Sequence, residues 1–179
     1  MRRHLSVAAG LLAIVSAGAG TALAQQVNKD QVAGIRNMAR IETTVACAGA
    51  ITPESVVEVK KMGFVSVVNL RLASEEGANV EKEEAAAKAA GIRYFHVPYD
   101  GSADPKAADA FLTAITTRGA EPAFIHCAGG NRAATMWLIK RIAIDGWDVD
   151  RATKEATLLG QTNPTMRQFA IDFGQSHRR

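Results

Sequence analysis

The residues best suited to chemistry lie in one stretch, the sequence HCAGGNR at positions 126–132. Cys127 follows a short apolar run and precedes Arg132 by five positions. The residues between them are Ala128, Gly129, Gly130 and Asn131. A guanidinium offers forked N–H donors that suit a tetrahedral oxyanion, and a cysteine beside such donors is a candidate nucleophile. The spacing therefore predicts a catalytic pair, Cys127 and Arg132, in an anion-binding loop.

A strand and a helix must position this loop. The apolar residues before Cys127 predict a buried strand, and the apolar periodicity after Arg132 predicts a helix that ends near Gly146. Between them, backbone N–H groups and the positive end of the helix dipole would converge on one point. Glycines allow close approach to a ligand. We expect the loop 128–131 and Arg132 to bind phosphate and to favour a thiolate at Cys127.

Strand-like runs alternate with helix-like segments along the rest of the chain. The runs are Ile41–Cys47, Phe64–Leu70, Ile92–Pro98 and the stretch before Cys127. This alternation predicts an α/β fold, a single domain with a central, mostly parallel sheet flanked by helices. The carboxyl ends of parallel strands meet at one edge, where ligands bind.

That edge supplies the candidates for a general acid. Asp100 and Asp104 both lie in the loop before a predicted helix. Asp104 is explained as the cap of that helix, because Pro105 follows it. Asp100 has no such explanation, and it is the predicted acid that protonates a departing alkoxide, with Asp104 as the alternative. His126 either orients the loop by hydrogen bonds or is a packed histidine.

Two further residues at the edge have both a functional and a structural interpretation. Arg71 adds positive charge to the cleft or pairs with an acidic neighbour, Glu75 or Glu76. Cys47 forms a reversible disulfide with Cys127 or is a small packed residue. The disulfide requires Cα atoms within about 7 Å.

The first 24 residues have the pattern of a cleavable signal peptide. Arg2 and Arg3 precede an apolar run, and Ala22-Leu23-Ala24 fits a cleavage site after Ala24. The mature protein is therefore expected to be exported, periplasmic or secreted, with no membrane anchor after cleavage. The remaining sequence divides into a polar lead-in at 25–38, a domain at 39–175 and a tail at 176–179.

Composition narrows the possible partners. Without the two arginines of the signal peptide, the formal net charge falls from +3 to +1. No basic run with interleaved aromatic residues is present, so no nucleic-acid partner is expected. The histidines and cysteines lack metal-ligand spacing, so we expect no metal and no cofactor.

Four motifs in order resemble those of the bacterial beta-lactamase-hydrolase-like, phosphatase-like domain, within the cysteine-dependent (tyrosine and dual-specificity) phosphatases. They are VACAGAITPE, FVSVVNLR, YFHVPYDG and IHCAGGNR, and the resemblance spans about residues 40–173. It implies a cysteinyl-phosphate on Cys127, with the oxygens of the phosphoryl group held by loop amides and Arg132. It also implies proton transfer from Asp100, and a phosphorylated protein or small phosphoester as substrate.

Two features depart from the common phosphatase signature. Four residues rather than five separate Cys127 from Arg132, and Ala133 replaces the Ser or Thr whose hydroxyl helps the thiolate leave. The four-residue spacing is also that of rhodanese-type sulfurtransferases, in which Cys127 would carry a persulfide. A catalytically weak anion-binding module is the third alternative, and the missing hydroxyl suits it.

Overall fold

The computed structural model describes residues 26–179, which form a six-stranded sheet covered by helices. The strands are β1 (Val27–Val32), β2 (Ile35–Ile41), β3 (Val45–Ala48), β4 (Ser66–Asn69), β5 (Arg93–His96) and β6 (Ala123–His126). The expected signal peptide at 1–24 lies outside the described residues.

The order of the strands across the sheet is β1-β2-β3-β6-β4-β5. The four strands from β3 to β5 are parallel, and β1 and β2 join them in antiparallel fashion. The predicted α/β fold with a mostly parallel sheet is confirmed. The carboxyl ends of β3, β6 and β4 therefore lie side by side, with β6 in the middle.

Helices follow most strands at the points where capping residues predict them. They are α1 (Val56–Lys61, after a single 3-10 turn), α2 (Val80–Ala90), α3 (Pro105–Thr116), α4 (Asn131–Ala143), α5 (Val149–Leu158) and α6 (Pro164–Ser176). Asp104 caps α3 by accepting hydrogen bonds from the N–H groups of Lys106 and Ala107. No helix in residues 26–179 is long and apolar enough to cross a membrane.

Each face of the sheet has its own hydrophobic core. One core contains α3 to α6 with strand residues such as Cys47 and Ile125, and the other contains α1 and α2 with Ala46 and Phe124. Successive side chains of a strand point to opposite faces. Cys127 belongs to the α4 side, and His126 therefore points toward the α2 side.

Residues 25–38 differ from the expected lead-in, because they contain β1 and most of β2. Met38 and Ile41 of β2 are buried, whereas β1 is an edge strand with half-exposed residues between exposed ones. An edge strand needs few apolar residues, which is why its sequence has a polar appearance. The run Ile41–Cys47 is likewise two strand ends joined by a turn at 42–44.

The expected tail at 176–179 also belongs to the folded part. Ser176 is the last residue of α6. The N–H of Arg179 donates to the carbonyl of Ala143 at 3.0 Å, and the Arg178 guanidinium donates to the carbonyl of Trp147. The C-terminus is therefore fixed against the end of α4.

Candidate active site

The loop between β6 and α4 holds the sulfur of Cys127 at the start of a buried helix. The N–H of Gly130 donates to Cys127 Sγ at 3.0 Å. The N–H of Cys127 donates to the carbonyl of Ala48 on β3 at 3.1 Å, which fixes the backbone of the cysteine. The sulfur thus lies where the helix dipole and the loop amides favour negative charge.

Two carbonyls of the loop are held away from the sulfur. Ala50 N–H donates to the Ala128 carbonyl at 3.0 Å, and Asn37 Nδ2 donates to the Gly129 carbonyl at 3.2 Å. Since C=O and N–H of one trans peptide point in opposite directions, the N–H groups of Gly129 and Gly130 face inward. The neighbouring strand segments therefore preorganise the anion-binding side of the loop.

The two adjacent glycines have different roles. Gly130 has φ +104°, a conformation that residues with a Cβ rarely adopt. Gly129 has no positive φ, and a Cβ there would meet no atom within 4 Å. Outside the loop, a Cβ on Gly49 would lie 3.0 Å from the Ala128 carbonyl oxygen. The backbone conformation therefore favours glycine at Gly130, and packing is tight at Gly49, whereas neither constraint applies at Gly129.

Asn131 connects the loop to the segment before α6. Its side-chain amide lies 2.6 Å from Thr162 Oγ1, and with the amide oxygen placed there it also accepts from the N–H groups of Thr162 and Asn163. Its side chain is thus occupied, so only the backbone of Asn131 is available to a bound group at the start of α4.

Arg132 is bound end-on by a carboxylate. Its Nη1 and Nη2 donate to Glu75 Oε1 and Oε2 at 2.6 and 2.9 Å. Nη1 also donates to the carbonyls of Tyr99 and Leu70. The Nε–H and the second Nη2–H, which form the side edge of the guanidinium, are not used in these hydrogen bonds, and Arg132 also interacts with the nearby side chain of Cys127. That edge is a two-donor fork of the kind that binds two oxygens of a phosphate.

Glu75 remains ionised over a wide pH range. The hydrogen bond from Arg132 is the largest cause that lowers the pKa of Glu75 to about 2, helped by the N–H of Leu72 and the side chain of Arg71 and opposed by burial. For Arg132, burial opposes the charge, but Glu75 and the nearby Cys127 outweigh it and raise the pKa of Arg132. The guanidinium is therefore a fixed cation beside the sulfur.

Arg71, for which the sequence allowed either a charge in the cleft or pairing with Glu75 or Glu76, does not line the cavity. Its Nε donates to Glu75 Oε2 at 3.2 Å, and its Nη1 donates to the carbonyl of Gly77 at 2.7 Å. The chain after β4 folds back over Arg71, and the structural interpretation is the correct one. Glu75, considered in the sequence only as a partner of Arg71, bridges both arginines and is the site residue that sequence reasoning missed.

A cavity of about 380 Å³ opens above Cys127. Besides the loop, it is lined by Leu72, Glu75, Asp100, Arg132 and Met166. A larger cavity of about 980 Å³ lies beside β1 and β2, and its lining includes Gly129 but neither Cys127 nor Arg132. The smaller cavity is therefore where a group could react with the sulfur.

The structure separates the two candidate acids. Asp100 lines the cavity, whereas Asp104 caps α3 and does not. Asp100 Oδ1 accepts from the N–H of Ser102 at 2.8 Å, and this hydrogen bond lowers the pKa of Asp100. The turn that carries Asp100 rests on α6, since a Cβ on Gly101 would lie 2.1 Å from Met166 Cε. Met166 is a second wall residue that the sequence did not indicate.

The remaining candidates lie outside the cavity. His126 is fully buried on the opposite face of the sheet, with its Nε2 3.2 Å from Glu83 Oε2. Cys47 of β3 lies directly opposite Ile125 of β6. Cys127 follows Ile125 by two residues and is therefore displaced from Cys47 along the strand axis. Strand spacing and rise place their Cα atoms about 8 Å apart, beyond the usual range of a disulfide. Both cysteines are free, and burial raises the pKa of Cys47.

No group of three His, Cys, Asp or Glu side chains within residues 26–179 is arranged to hold a metal ion. The groups that meet at the cavity are the sulfur of Cys127, the guanidinium of Arg132, the backbone of the loop and the exposed carboxyl of Asp100.

Comparison with known proteins identifies this arrangement. The family described as beta-lactamase hydrolase-like protein, phosphatase-like domain, matches residues 37–144, which include the loop and Arg132. The chain belongs to this family. Curated beta-lactamase hydrolase-like proteins of Agrobacterium fabrum and Xylella fastidiosa are 33% identical over 112 and 110 residues. Those regions are 60% and 59% of this chain but 25% of each relative, so the chain spans about a quarter of their length.

Solved structures share the fold at low sequence identity. The core catalytic domain of the PP-IP phosphatase SIW14 from S. cerevisiae, in complex with citrate, is 15% identical with a TM-score of 0.61, covering 80% of this chain and 88% of that chain. A P. aeruginosa TpbA variant in complex with pTyr is 18% identical with a TM-score of 0.59, covering 87% and 91%. The family and the fold together place the protein in the cysteine-dependent phosphatase superfamily.

Proposed function

We propose that this protein hydrolyses a phosphoester through a phosphorylated Cys127. The observation that carries the proposal is the convergence of three groups on one cavity: the sulfur of Cys127, which accepts from the N–H of Gly130 at 3.0 Å, the loop residues beside it and the guanidinium of Arg132. A phosphoryl group placed there would meet a nucleophile on one side and donors for its oxygens on the others.

The first step forms an S–P bond and breaks the ester P–O bond. The Cys127 thiolate attacks phosphorus while the loop amides and Arg132 bind the remaining oxygens, and Asp100 gives its proton to the departing oxygen. In the second step a water attacks phosphorus, the S–P bond breaks and the thiolate is restored. The proton of that water passes to the Asp100 carboxylate, and inorganic phosphate leaves.

Asp100 can act as the acid only after a change of partner. The N–H of Ser102 stabilises the ionised carboxylate, whereas a general acid must carry a proton. A substrate oxygen beside Asp100 would replace Ser102 and favour the protonated form. Asp100 is exposed, so this exchange requires little rearrangement.

The walls of the cavity favour an aryl phosphate, such as phosphotyrosine in a protein. Leu72 and Met166 present apolar side chains beside the loop. An aromatic ring bound between the mouth and the sulfur would bury its apolar surface against such walls. The P. aeruginosa protein of the same fold is in complex with pTyr, which is consistent with this substrate class.

The test compares two reactions in the purified protein. One assay supplies a small aryl phosphate and measures inorganic phosphate, and the other supplies thiosulfate with cyanide and measures thiocyanate. We expect phosphate release that Cys127→Ser abolishes and that the matched variant Cys47→Ala retains, because Cys47 lies outside the cavity. Thiocyanate formation would favour the sulfurtransferase, and anion binding without either product would favour a binding module.

A further inference from the structure

The larger cavity, of about 980 Å³, is a groove that adjoins the catalytic cavity, and we call it the hairpin groove. Gly129 and Asn131 line both cavities. One wall of the groove is the β1–β2 hairpin, and the other is formed by the end of α5 and the segment before α6. The mechanism described above for a small phosphoester uses none of this space.

The hairpin groove reaches the same edge of the sheet as the sulfur of Cys127. Since β2 is antiparallel to β3, the turn at 33–34 that joins β1 and β2 lies beside the carboxyl end of β3. The N–H of Arg36, just after this turn, donates to the carbonyl of Ala50 at 3.0 Å. A substrate whose phosphate lies at Cys127 therefore has the groove beside it.

The loop segment 129–131 forms a ridge between the two cavities and is held from both sides. Asn37 Nδ2 in the groove donates to the carbonyl of Gly129 at 3.2 Å, and the Asn131 amide lies 2.6 Å from Thr162 Oγ1. Gly129 is exposed, and no atom of residues 26–179 lies within 4 Å of the position that a Cβ would take there. An extended chain thus has room to cross the ridge close to its backbone.

The groove presents one apolar and one cationic side chain. Leu158, the last residue of α5, is 49% exposed, the highest value among the exposed large hydrophobic side chains of the described residues. Lys29 lies opposite Ala39, which belongs to the core on the α4 side, so both side chains point to that face. Within residues 26–179, Lys29 takes part in no ion pair, whereas Asp30 is paired with Arg40. The groove therefore favours an apolar group together with a negative one.

We propose that the hairpin groove binds the polypeptide chain beside a phosphotyrosine in a protein substrate. With the phosphotyrosine in the catalytic cavity, the chain crosses the ridge and places an apolar side chain against Leu158 and an acidic one near Lys29. The volume of the groove is near the upper limit of about 1,000 Å³ for small-molecule sites, which suits several residues of a chain. The inference rests on the proposed phosphatase function and names a protein as its substrate.

The first test measures phosphate release from phosphotyrosine peptides by the wild-type protein. One set of peptides carries leucine and aspartate beside the phosphotyrosine, on its N-terminal or its C-terminal side, and the matched set carries alanine at those positions. We expect one of the two placements to raise kcat/KM about tenfold over its alanine counterpart, because a buried leucine and a charge pair both stabilise the complex.

Three variants show whether the groove causes this preference. Leu158→Asp should lower kcat/KM for the preferred peptide by about tenfold and leave p-nitrophenyl phosphate, which does not reach the groove, within about twofold of the wild type. Val57→Asp is the matched control, since Val57 is 46% exposed on α1 at the other face of the sheet, and should change neither substrate. Lys29→Glu should change the preference from aspartate to lysine in the peptide, which a merely structural role would not do.

Equal kcat/KM for all peptides, or an equal loss for p-nitrophenyl phosphate in Leu158→Asp, would overturn the proposal. A dimer that Leu158→Asp converts to a monomer, with the peptide preference unchanged, would assign the groove to a second copy of the chain instead. Absence of phosphate release from every substrate would mean that the proposed function fails. Fluorescence anisotropy of the same peptides with Cys127→Ser then tests the groove without turnover, and equal affinities would overturn the inference separately.

Discussion

At the scale of single residues, the guanidinium of Arg132 depends on a carboxylate from a distant part of the sequence. Glu75 binds the end of the guanidinium and Arg71 fixes Glu75, so two arginines share one carboxylate. Because the end of the guanidinium is held by Glu75, the orientation of the side edge of Arg132 is already fixed in the folded protein. Preorganised donors of this kind need no rearrangement during reaction.

Replacing Glu75 should therefore reduce catalysis more than replacing its neighbour. We expect Glu75→Gln to lower kcat/KM for an aryl phosphate by about ten- to a hundredfold, because a charge-assisted pair that orients Arg132 is lost. Glu76→Gln is the matched control, since Glu76 is exposed and its contact with Arg71 uses only the backbone carbonyl. Steady-state kinetics of the two variants give this comparison, and equal kcat/KM for Glu75→Gln and Glu76→Gln would refute the role of Glu75.

The same carboxylate predicts a pH dependence of stability. The pKa of Glu75 is about 2 in the folded protein and 4.5 otherwise, so its contribution is complete above pH 4.5 and is lost as the pH falls toward 2. The free energy of unfolding should decline by at most about 3 kcal/mol through this group, and less if solvent screens the partly exposed pair. Urea unfolding across this range should show a smaller decline in Glu75→Gln. An identical decline would contradict the assignment.

Asp100 and Asp104 offer a paired test of the general acid. Asp100→Asn should lower kcat by about a hundredfold or more for an alkyl phosphate, whose leaving group needs a proton. The effect should be smaller for p-nitrophenyl phosphate, whose leaving group departs as a stable anion. Asp104→Asn should change little, because asparagine also caps a helix. A larger loss in the Asp104 variant would reverse the assignment.

The site residues that the sequence predicts are those that lie close to one another along the chain. Cys127, Arg132 and the loop lie within six consecutive positions, so their spacing alone indicates an anion site. Glu75 and Met166 reach the cavity from segments 50 or more positions upstream and 30 or more positions downstream of the cysteine, and no local pattern marks them. Their roles arise from how the chain folds back after β4 and where α6 begins.

At the scale of elements, the conformation of the loop between β6 and α4 depends on the strands beside it. β3 and the segment after it hold the backbone of Cys127 and Ala128, and β2 holds Gly129 through Asn37. Apolar runs and caps predicted the parallel strands and most helices. The β1–β2 hairpin was not predicted, because its exposed edge requires no continuous apolar run.

The different backbone conformations of Gly129 and Gly130 lead to a prediction about stability. Gly130→Ala should destabilise the protein by about 1–2 kcal/mol, because a Cβ at φ +104° is strained, whereas Gly129→Ala should change stability by less than about 0.5 kcal/mol. Urea unfolding of both variants provides the comparison. Equal destabilisation would mean that the two positions do not differ as described.

At the scale of the whole molecule, the folded domain includes the β1–β2 hairpin, most of which falls in the segment that the sequence analysis describes as a polar lead-in. Ile35 and Met38 are buried in the core beside α1, and β2 covers the edge of β3. A protein that begins at Ala39 would lose β1 and these side chains. We expect it to lose at least about 4 kcal/mol of stability relative to a protein that begins at Gln26. Comparable unfolding transitions for the two proteins would show that the hairpin is dispensable.

The sheet also explains how distant segments form one site. The carboxyl ends of β3, β4 and β6 carry Gly49, Arg71 and Cys127, and the chain after β5 brings Asp100 to the same cavity. The family relationship and the fold account for this arrangement, while the four-residue spacing and Ala133 distinguish the chain from the common phosphatase signature. Without a hydroxyl at position 133, breakdown of a phosphorylated Cys127 should be slow enough for the intermediate to accumulate.

That accumulation provides the most direct measurement. The wild-type protein is mixed with an aryl phosphate, quenched rapidly in denaturant and analysed by mass spectrometry. We predict one added phosphoryl group on the peptide that contains Cys127, and none in Cys127→Ser. Hydrolysis of the substrate without any phosphorylated Cys127, or with the phosphoryl group on another residue, would contradict the account.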